Sequence, residues 1–163
     1  MDSPKNTENI DTSDFSWPPK RLVIAGFGLL GGSIAQCFRK KLDQINILAV
    51  GRNESRLQEI TKAGLADNYS ADLLNSVKSG DWVVLCQPVD VISKILPELC
   101  AKLPDDVVVT DVGSTKQRIV TAADSSKKGR SQFLGSHPMV GSEKTGWKNS
   151  QPELFHGATT ILT

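Results

Sequence analysis

The residues Gly26-Phe27-Gly28-Leu29-Leu30-Gly31 form a Gly-x-Gly-x-x-Gly. An apolar run, Leu22-Val23-Ile24-Ala25, precedes it, and Ile34, Phe38 and Leu42 follow at four-residue spacing, so the motif joins a strand to a helix. In that setting each glycine has its own task. Gly26 permits the tight turn, Gly28 lets a pyrophosphate approach the backbone, and Gly31 lets helix and strand pack closely. Phe27, Leu29 and Leu30 complete a turn whose helix N-terminus offers unpaired N–H groups and a positive dipole end to phosphates. The bare pattern also occurs in turns that bind nothing; the strand–turn–helix context is what predicts a dinucleotide site.

The end of the next strand, Ile47-Leu48-Ala49-Val50, should identify the dinucleotide, because an NAD site usually places Asp or Glu there for the ribose hydroxyls. Here Arg52 and Asn53 occupy that place. Arg52 can pair with a 2′-phosphate, and Asn53 or Ser55 can donate hydrogen bonds to it, which favours NADP over NAD as cofactor. The competing reading has Arg52 solvating a loop while Glu54 reaches the ribose. Gln87-Pro88 follows the apolar run Trp82–Cys86, at a strand end that turns beneath the cofactor. A backbone contact to the nicotinamide half and a plain helix start at Pro88 are equally compatible with it.

Two further segments carry side chains suited to reaction chemistry. Asp111-Val112-Gly113-Ser114-Thr115-Lys116 closes a strand, and the carboxyl ends of parallel strands are where such folds hold ligands. Ser114 can cap the next helix or turn its hydroxyl toward a substrate. Lys116 is either a solvated first-turn residue or an anion contact. His137 follows Phe133-Leu134 and opens a glycine-rich stretch. An imidazole there can serve as a base near neutral pH, although a lone histidine is more often structural. His156 has no comparable setting.

These residues need a framework. Leu57, Ile60 and Gly64 fit a second helix capped by Asn53, and residues 72–77 a short third. Ile92, Ile95, Leu99 and Leu103 trace a helical stripe that Pro97 should bend or split. Val107-Val108-Val109, Phe133-Leu134 and residues 159–162 are further strands, and residues 116–123 a further helix. Strands too continuously apolar for a one-sided sheet, alternating with helices, predict an α/β fold: a doubly wound parallel sheet, the Rossmann dinucleotide-binding domain. Residues 137–152 show no regular pattern, and an irregular stretch that long in a compact domain is usually functional or flexible.

Composition bounds the remaining classes. At 163 residues the chain reads as one domain, residues 17–163, behind a disordered polar leader, residues 1–16. Nineteen basic against eighteen acidic side chains give a net charge of +1, which argues against a nucleic-acid partner. No apolar run reaches the ~20 residues of a membrane span, and no signal-peptide core is present. Cys37, Cys86 and Cys100 form no Cys-x-x-Cys, and the two histidines share no ligand spacing, so buried thiols, a cytoplasmic location and no metal site are expected.

Taken together, the segments Gly26–Ser33, Asp111–Lys116 and Gly135–Glu143 resemble the prephenate/arogenate dehydrogenase family of tyrosine biosynthesis, and Glu153–Gly157 followed by Ile161-Leu162-Thr163 is similar to the end of that family's nucleotide domain. The resemblance implies NAD(P)-dependent oxidative decarboxylation of prephenate or arogenate. In that scheme His137 accepts the ring hydroxyl proton and Ser114 hydrogen-bonds the same hydroxyl, while Lys116 and Glu143 match family positions near the substrate. The chain departs from the family in lacking the acid after the second strand. The resemblance further implies a helical domain that builds the dimer and supplies cations for the substrate carboxylates, and this sequence stops where that domain is expected to begin. The reading from a different class is a non-catalytic NADP-binding module. Another reductase with the same glycine turn, which would need a catalytic lysine or tyrosine on a separate helical domain, ranks last; the sole tyrosine, Tyr69, lies away from the strand ends.

Overall fold

The computed structural model describes residues 18–163, so the expected leader and Trp17 lie outside the described residues. Six strands form one all-parallel sheet: β1 (Arg21–Ala25), β2 (Asn46–Val50), β3 (Asn68–Ser70), β4 (Asp81–Leu85), β5 (Val108–Asp111) and β6 (Phe133–Leu134), in the order β3-β2-β1-β4-β5-β6. Strand order reverses beside β1, the switch point at which open α/β sheets bind ligands. Period-two alternation explains the two layers of core. Leu22, Ile24, Ile47 and Ala49 face helices α1 (Leu29–Lys41) and α2 (Glu54–Lys62), whereas Val23, Ala25, Val83 and Leu85 face α3 (Val89–Lys102) and α4 (Gln117–Asp124). The sheet is therefore doubly wound, as the apolar runs predict.

Four local readings differ from the structure in whole or in part. Residues 72–77 form turns, not a helix: the Asp72 carboxylate accepts from the Asn75 N–H (3.1 Å) and Nδ2 (2.6 Å), a local arrangement that competes with helical bonding. Pro97 does not split α3, which runs unbroken from Val89 to Lys102. Buried Ile92, Leu96, Leu99 and Cys100 hold it to the sheet on both sides of the proline, enough packing to offset the roughly 3 kcal/mol that a helix-interior proline costs. A fifth helix, α5 (Lys127–Gln132), lacks an apolar period and escapes sequence reading; the Ser126 hydroxyl caps it by accepting from the Gly129 N–H (2.9 Å).

The fourth correction concerns residues 137–152. The stretch begins within strand β7 (Ser136–Pro138), which pairs antiparallel with β8 (Thr160–Leu162) in a separate two-stranded sheet, and it contains a 3₁₀ turn at Trp147–Asn149. Its distal part is fastened to α1. The buried Ser33 hydroxyl accepts from the Gln151 N–H (2.9 Å), and the Gln36 amide donates to Ser150 Oγ (2.7 Å). Lys40 also pairs with Glu153 (2.8 Å). Among the described residues, no helix is long and apolar enough to cross a membrane.

Candidate functional site

The β1–α1 turn assigns each glycine a distinct physical role. Gly26 has φ +92°, and a Cβ there would lie 2.7 Å from the Cys86 carbonyl carbon, so only glycine lets the turn close against the end of β4. A Cβ on Gly31 would lie 2.5 Å from the Gly26 carbonyl oxygen; its absence brings α1 close to the turn. Around Gly28 nothing lies within 4 Å of such a Cβ, so that face of the backbone is open. Gly28 also occupies the N-cap of α1 without a side-chain cap, and the first turn holds no acidic residue. The leading N–H groups thus keep their capacity for an anion.

These atoms line a cleft of about 570 Å³, together with Phe27, Arg52, Asn53, Gln87 and Pro88. Seven of the eleven residues expected at the cofactor therefore meet here: Gly26, Phe27, Gly28, Arg52, Asn53, Gln87 and Pro88. Leu29, Leu30 and Gly31 stand behind them at the start of α1. Ser55 lines a neighbouring polar cleft of about 470 Å³, which shares Asn53 and Arg56 with the first and is closed by the Trp147 turn. Arg56 was not singled out from sequence, yet it stands in the first turn of α2, four residues after Arg52, and lines both clefts. Neither guanidinium has an ion-pair partner among the described residues. Asn53 Oδ1 accepts from the Arg56 N–H (2.9 Å), so it caps α2 as expected and keeps its amide N–H groups free. Glu54 is turned toward the Tyr69 hydroxyl (3.4 Å). Gln87 Oε1 is buried without a hydrogen-bond partner. An open glycine backbone, two uncommitted cations and an orphaned amide oxygen in one cleft fit a dinucleotide.

At the carboxyl end of β5 the second group of residues assembles around Asp111, which is fully buried. Its carboxylate accepts from the Gly113 N–H (2.8 Å), from the Ser136 N–H (3.2 Å) and from the Lys116 ammonium. Lys116 also donates to the Ser136 carbonyl (2.6 Å). The lysine is therefore neither solvated nor free, and its charge balances a carboxylate inside the domain. Ser114 does not cap α4. The N-cap position belongs to Lys116, and the exposed Ser114 hydroxyl has no partner within the described chain. The half-buried His137 imidazole likewise makes no side-chain hydrogen bond. Glu143 is exposed within residues 139–146 and unpaired, so the fold does not draw it into this cluster.

Two residues important here, Asp111 and Ser136, were passed over in the sequence reading. The available signal was a charged residue closing an apolar strand, which requires a partner, with a lysine five positions on. Of the thiols, burial pushes Cys100 up to about 11 and Cys86, on the cleft wall, higher still. Neither is a nucleophile at neutral pH. Among the described residues, no cluster of His, Cys, Asp or Glu could hold a metal.

The model of the family "Prephenate dehydrogenase, nucleotide-binding domain" matches residues 34–163. Prephenate dehydrogenase of Bacillus subtilis (strain 168) is 35% identical over 143 residues, 87% of this chain and 38% of that protein. The crystal structure of prephenate dehydrogenase from A. aeolicus in complex with hydroxyphenyl propionate and NAD+ superposes with a TM-score of 0.79 at 30% identity, covering 88% of this chain and 50% of that one. Synechocystis arogenate dehydrogenase follows at a TM-score of 0.71 and 28% identity, over 88% and 49% of the two chains. The chain thus spans half, or less, of the length of these relatives. With the switch-point cleft, the glycine turn and the β5–β7 cluster in one sheet order, these matches establish that the chain belongs to the prephenate dehydrogenase family, in the region of its nucleotide-binding domain.

Proposed function

We propose that this chain is the nucleotide-binding and catalytic portion of an NADP-preferring prephenate or arogenate dehydrogenase, with NAD as the weaker cofactor. The observation that carries the reading is the pair of uncommitted side chains, Ser114 and His137, on backbone segments tied to one carboxylate at the strand ends beside the dinucleotide cleft. Held at the glycine turn and beside Arg52 and Gln87, a dinucleotide would supply the acceptor for the hydride that leaves the ring carbinol carbon. His137 takes the hydroxyl proton as the carbonyl forms, and Ser114 holds that oxygen in line. Loss of carbon dioxide leaves its bonding electrons in the ring, which becomes aromatic, and His137 returns the proton to the phenolate oxygen. Lys116, whose charge Asp111 balances, would act near the substrate by holding the Ser136–His137 segment, and Glu143 would meet the substrate from its exposed loop. The partner is therefore a small carboxylate substrate. The cations that grip its carboxylates, and the family's dimer, belong to the remainder of the full-length relatives, and the working location is the cytoplasm.

Cofactor choice rests on Arg52 and Arg56, both unpaired beside Asn53 and Ser55. A 2′-phosphate gains charge-assisted bonds there, whereas a carboxylate would repel it. Calorimetric titration of both oxidised dinucleotides is expected to show tighter binding of NADP+, with Arg52→Asp reversing the order. Equal or NAD-favouring affinity in the unaltered chain overturns the assignment. Dinucleotide binding with no reduction by prephenate or arogenate, in a protein that joins this chain to the remainder of a full-length relative, would favour the non-catalytic NADP-binding module instead.

A further inference from the structure

We infer that Asp111 is the positioning residue that sets Ser114 and His137 relative to each other, an inference that rests on the reaction proposed above. The two reactive residues lie on segments far apart in sequence, one after β5 and one in β7, and no hydrogen bond joins their side chains. What joins their backbones is a single carboxylate. Asp111 Oδ2 accepts from the N–H of Gly113, the residue before Ser114, at 2.8 Å. Asp111 Oδ1 accepts from the N–H of Ser136, the residue before His137, at 3.2 Å.

Three further contacts close the arrangement. Lys116 bridges Asp111 and the Ser136 carbonyl, so the second segment is held at both its N–H and its C=O. The Ser136 hydroxyl donates to the Asp111 carbonyl (2.5 Å). Gly113 fits this turn because it has no side chain: a Cβ there would stand 2.9 Å from Asp111 Oδ2 and 2.9 Å from Ile119 Cδ1. A carboxylate with 0% exposure keeps its charge only where bonds and a cation replace water, so its partners are constrained in direction as well as distance. The lysine therefore serves the geometry of the site through its bonds to Asp111 and Ser136.

The test uses Asp111→Asn, which keeps size and removes charge, and Gly113→Ala, which keeps charge and displaces the turn. Amide spectra and dinucleotide affinity are read on the 163-residue chain, and dinucleotide reduction with prephenate on a protein that joins it to the remainder of a full-length relative. In the unaltered chain the Gly113 and Ser136 amides should exchange with solvent as slowly as amides of β4 and β5. In either variant both amides should exchange at least tenfold faster, and the Ser114 and His137 resonances should move together. Dinucleotide affinity should stay within twofold, and kcat should fall by about 10–100-fold, the scale of a misplacement near 1 Å. A role confined to stability would lower Tm and leave kcat per folded molecule unchanged, which overturns the inference. Rapid exchange of either amide in the unaltered chain, or movement of only one segment in the variants, overturns it as well. The exchange readout in the unaltered chain needs neither a folded variant nor a substrate. Absence of dinucleotide binding by the unaltered chain, or of turnover by the joined protein, counts against the proposed reaction and leaves the positional result standing.

Discussion

His137 and Ser114 are unlike most polar residues of this domain in having no internal partner. Elsewhere such groups are used by the fold: Ser33 receives an N–H from Gln151, Ser126 caps a helix, and the Gln132 amide donates to the Pro104 carbonyl (2.5 Å). A hydroxyl and an imidazole left free at strand ends are available to a ligand. Replacing His137 with Asn preserves size and polarity but removes a group able to take a proton. In a protein that joins this chain to the remainder of a full-length relative, His137→Asn is expected to lower turnover by about 10²–10⁴ while leaving dinucleotide affinity nearly intact, as steady-state rates and calorimetry on the same preparation would show. Retention of most of the rate would make the imidazole structural. Arg56→Ala is expected to weaken NADP+ by about tenfold and NAD+ by far less, because a charged hydrogen bond to the 2′-phosphate is lost in one case only. Parallel titrations check it, and equal losses would mean that Arg56 faces another part of the nucleotide.

At the scale of elements, β1 and α1 are held to their neighbours by contacts that tolerate little change. The Gly31 backbone lies against the Gly26 carbonyl, so Gly31→Ala must push α1 off the turn. Overpacking of this kind costs about 1–3 kcal/mol, and dinucleotide binding should weaken with it, since the same turn forms the phosphate cradle. Thermal unfolding and titration of the variant measure both, and loss of stability without loss of affinity would separate the turn from the ligand.

A second tie joins α1, β2 and the segment leading to β3. Asp67 accepts from the Ile47 N–H (2.7 Å) and pairs with Arg39 (2.8 Å). Partial burial pushes the Asp67 carboxyl upward, but the Ile47 N–H and the Arg39 guanidinium together outweigh it and hold it below its usual value. A lowered carboxyl stabilises the fold fully above the unfolded pKa near 4, and the contribution disappears as pH falls through the lower folded value. Asp67→Asn should therefore cost about 1 kcal/mol at pH 7, a modest figure because the pair is partly screened by solvent, and less at pH 2. Denaturant midpoints at the two pH values check the sign; an equal loss at both would remove the charge from the explanation.

For the whole molecule, the two clefts and the Asp111 cluster lie along the carboxyl edge of one sheet. A ligand that binds only the folded chain raises its stability by mass action, by about 2.7 kcal/mol at one hundred times its Kd. Saturating NADP+ is thus expected to raise Tm more than equimolar NAD+, and equal shifts would contradict the Arg52 assignment. The substrate side of the edge is open by comparison. Lys116 is committed to Asp111, and Ser114, Glu143 and Lys144 face solvent, where water screens charges that must hold two carboxylates. Assayed as these 163 residues, the chain is expected to reduce dinucleotide with prephenate well below the few turnovers per second of an ordinary enzyme. Turnover at that level would show that the opposing cations are unnecessary.

What the sequence determined by itself was whatever local sterics and periodicity dictate. Gly26, Gly28 and Gly31 sit where a strand must become a helix around an anion, and continuous apolar runs require a sheet covered on both faces. Asn53 can be recognised as a cap because its partner is three residues away. The uncommitted Arg52 follows from the missing acid. Long-range pairing decided the rest. Pro97 is tolerated because distant side chains hold α3 in place, and α5 forms without an apolar period because Ser126 caps it and its Gln132 side chain is received by the Pro104 and Val107 carbonyls. Residues 137–152 are ordered by contacts to α1 and by a strand supplied from residues 160–162. Asp111 shows the division within one residue. Its chain position says that a charge ends a buried strand with a lysine five positions on, but only the tertiary fold brings Ser136 to that carboxylate, because a hydrogen bond between residues 25 apart leaves no period in the sequence between them.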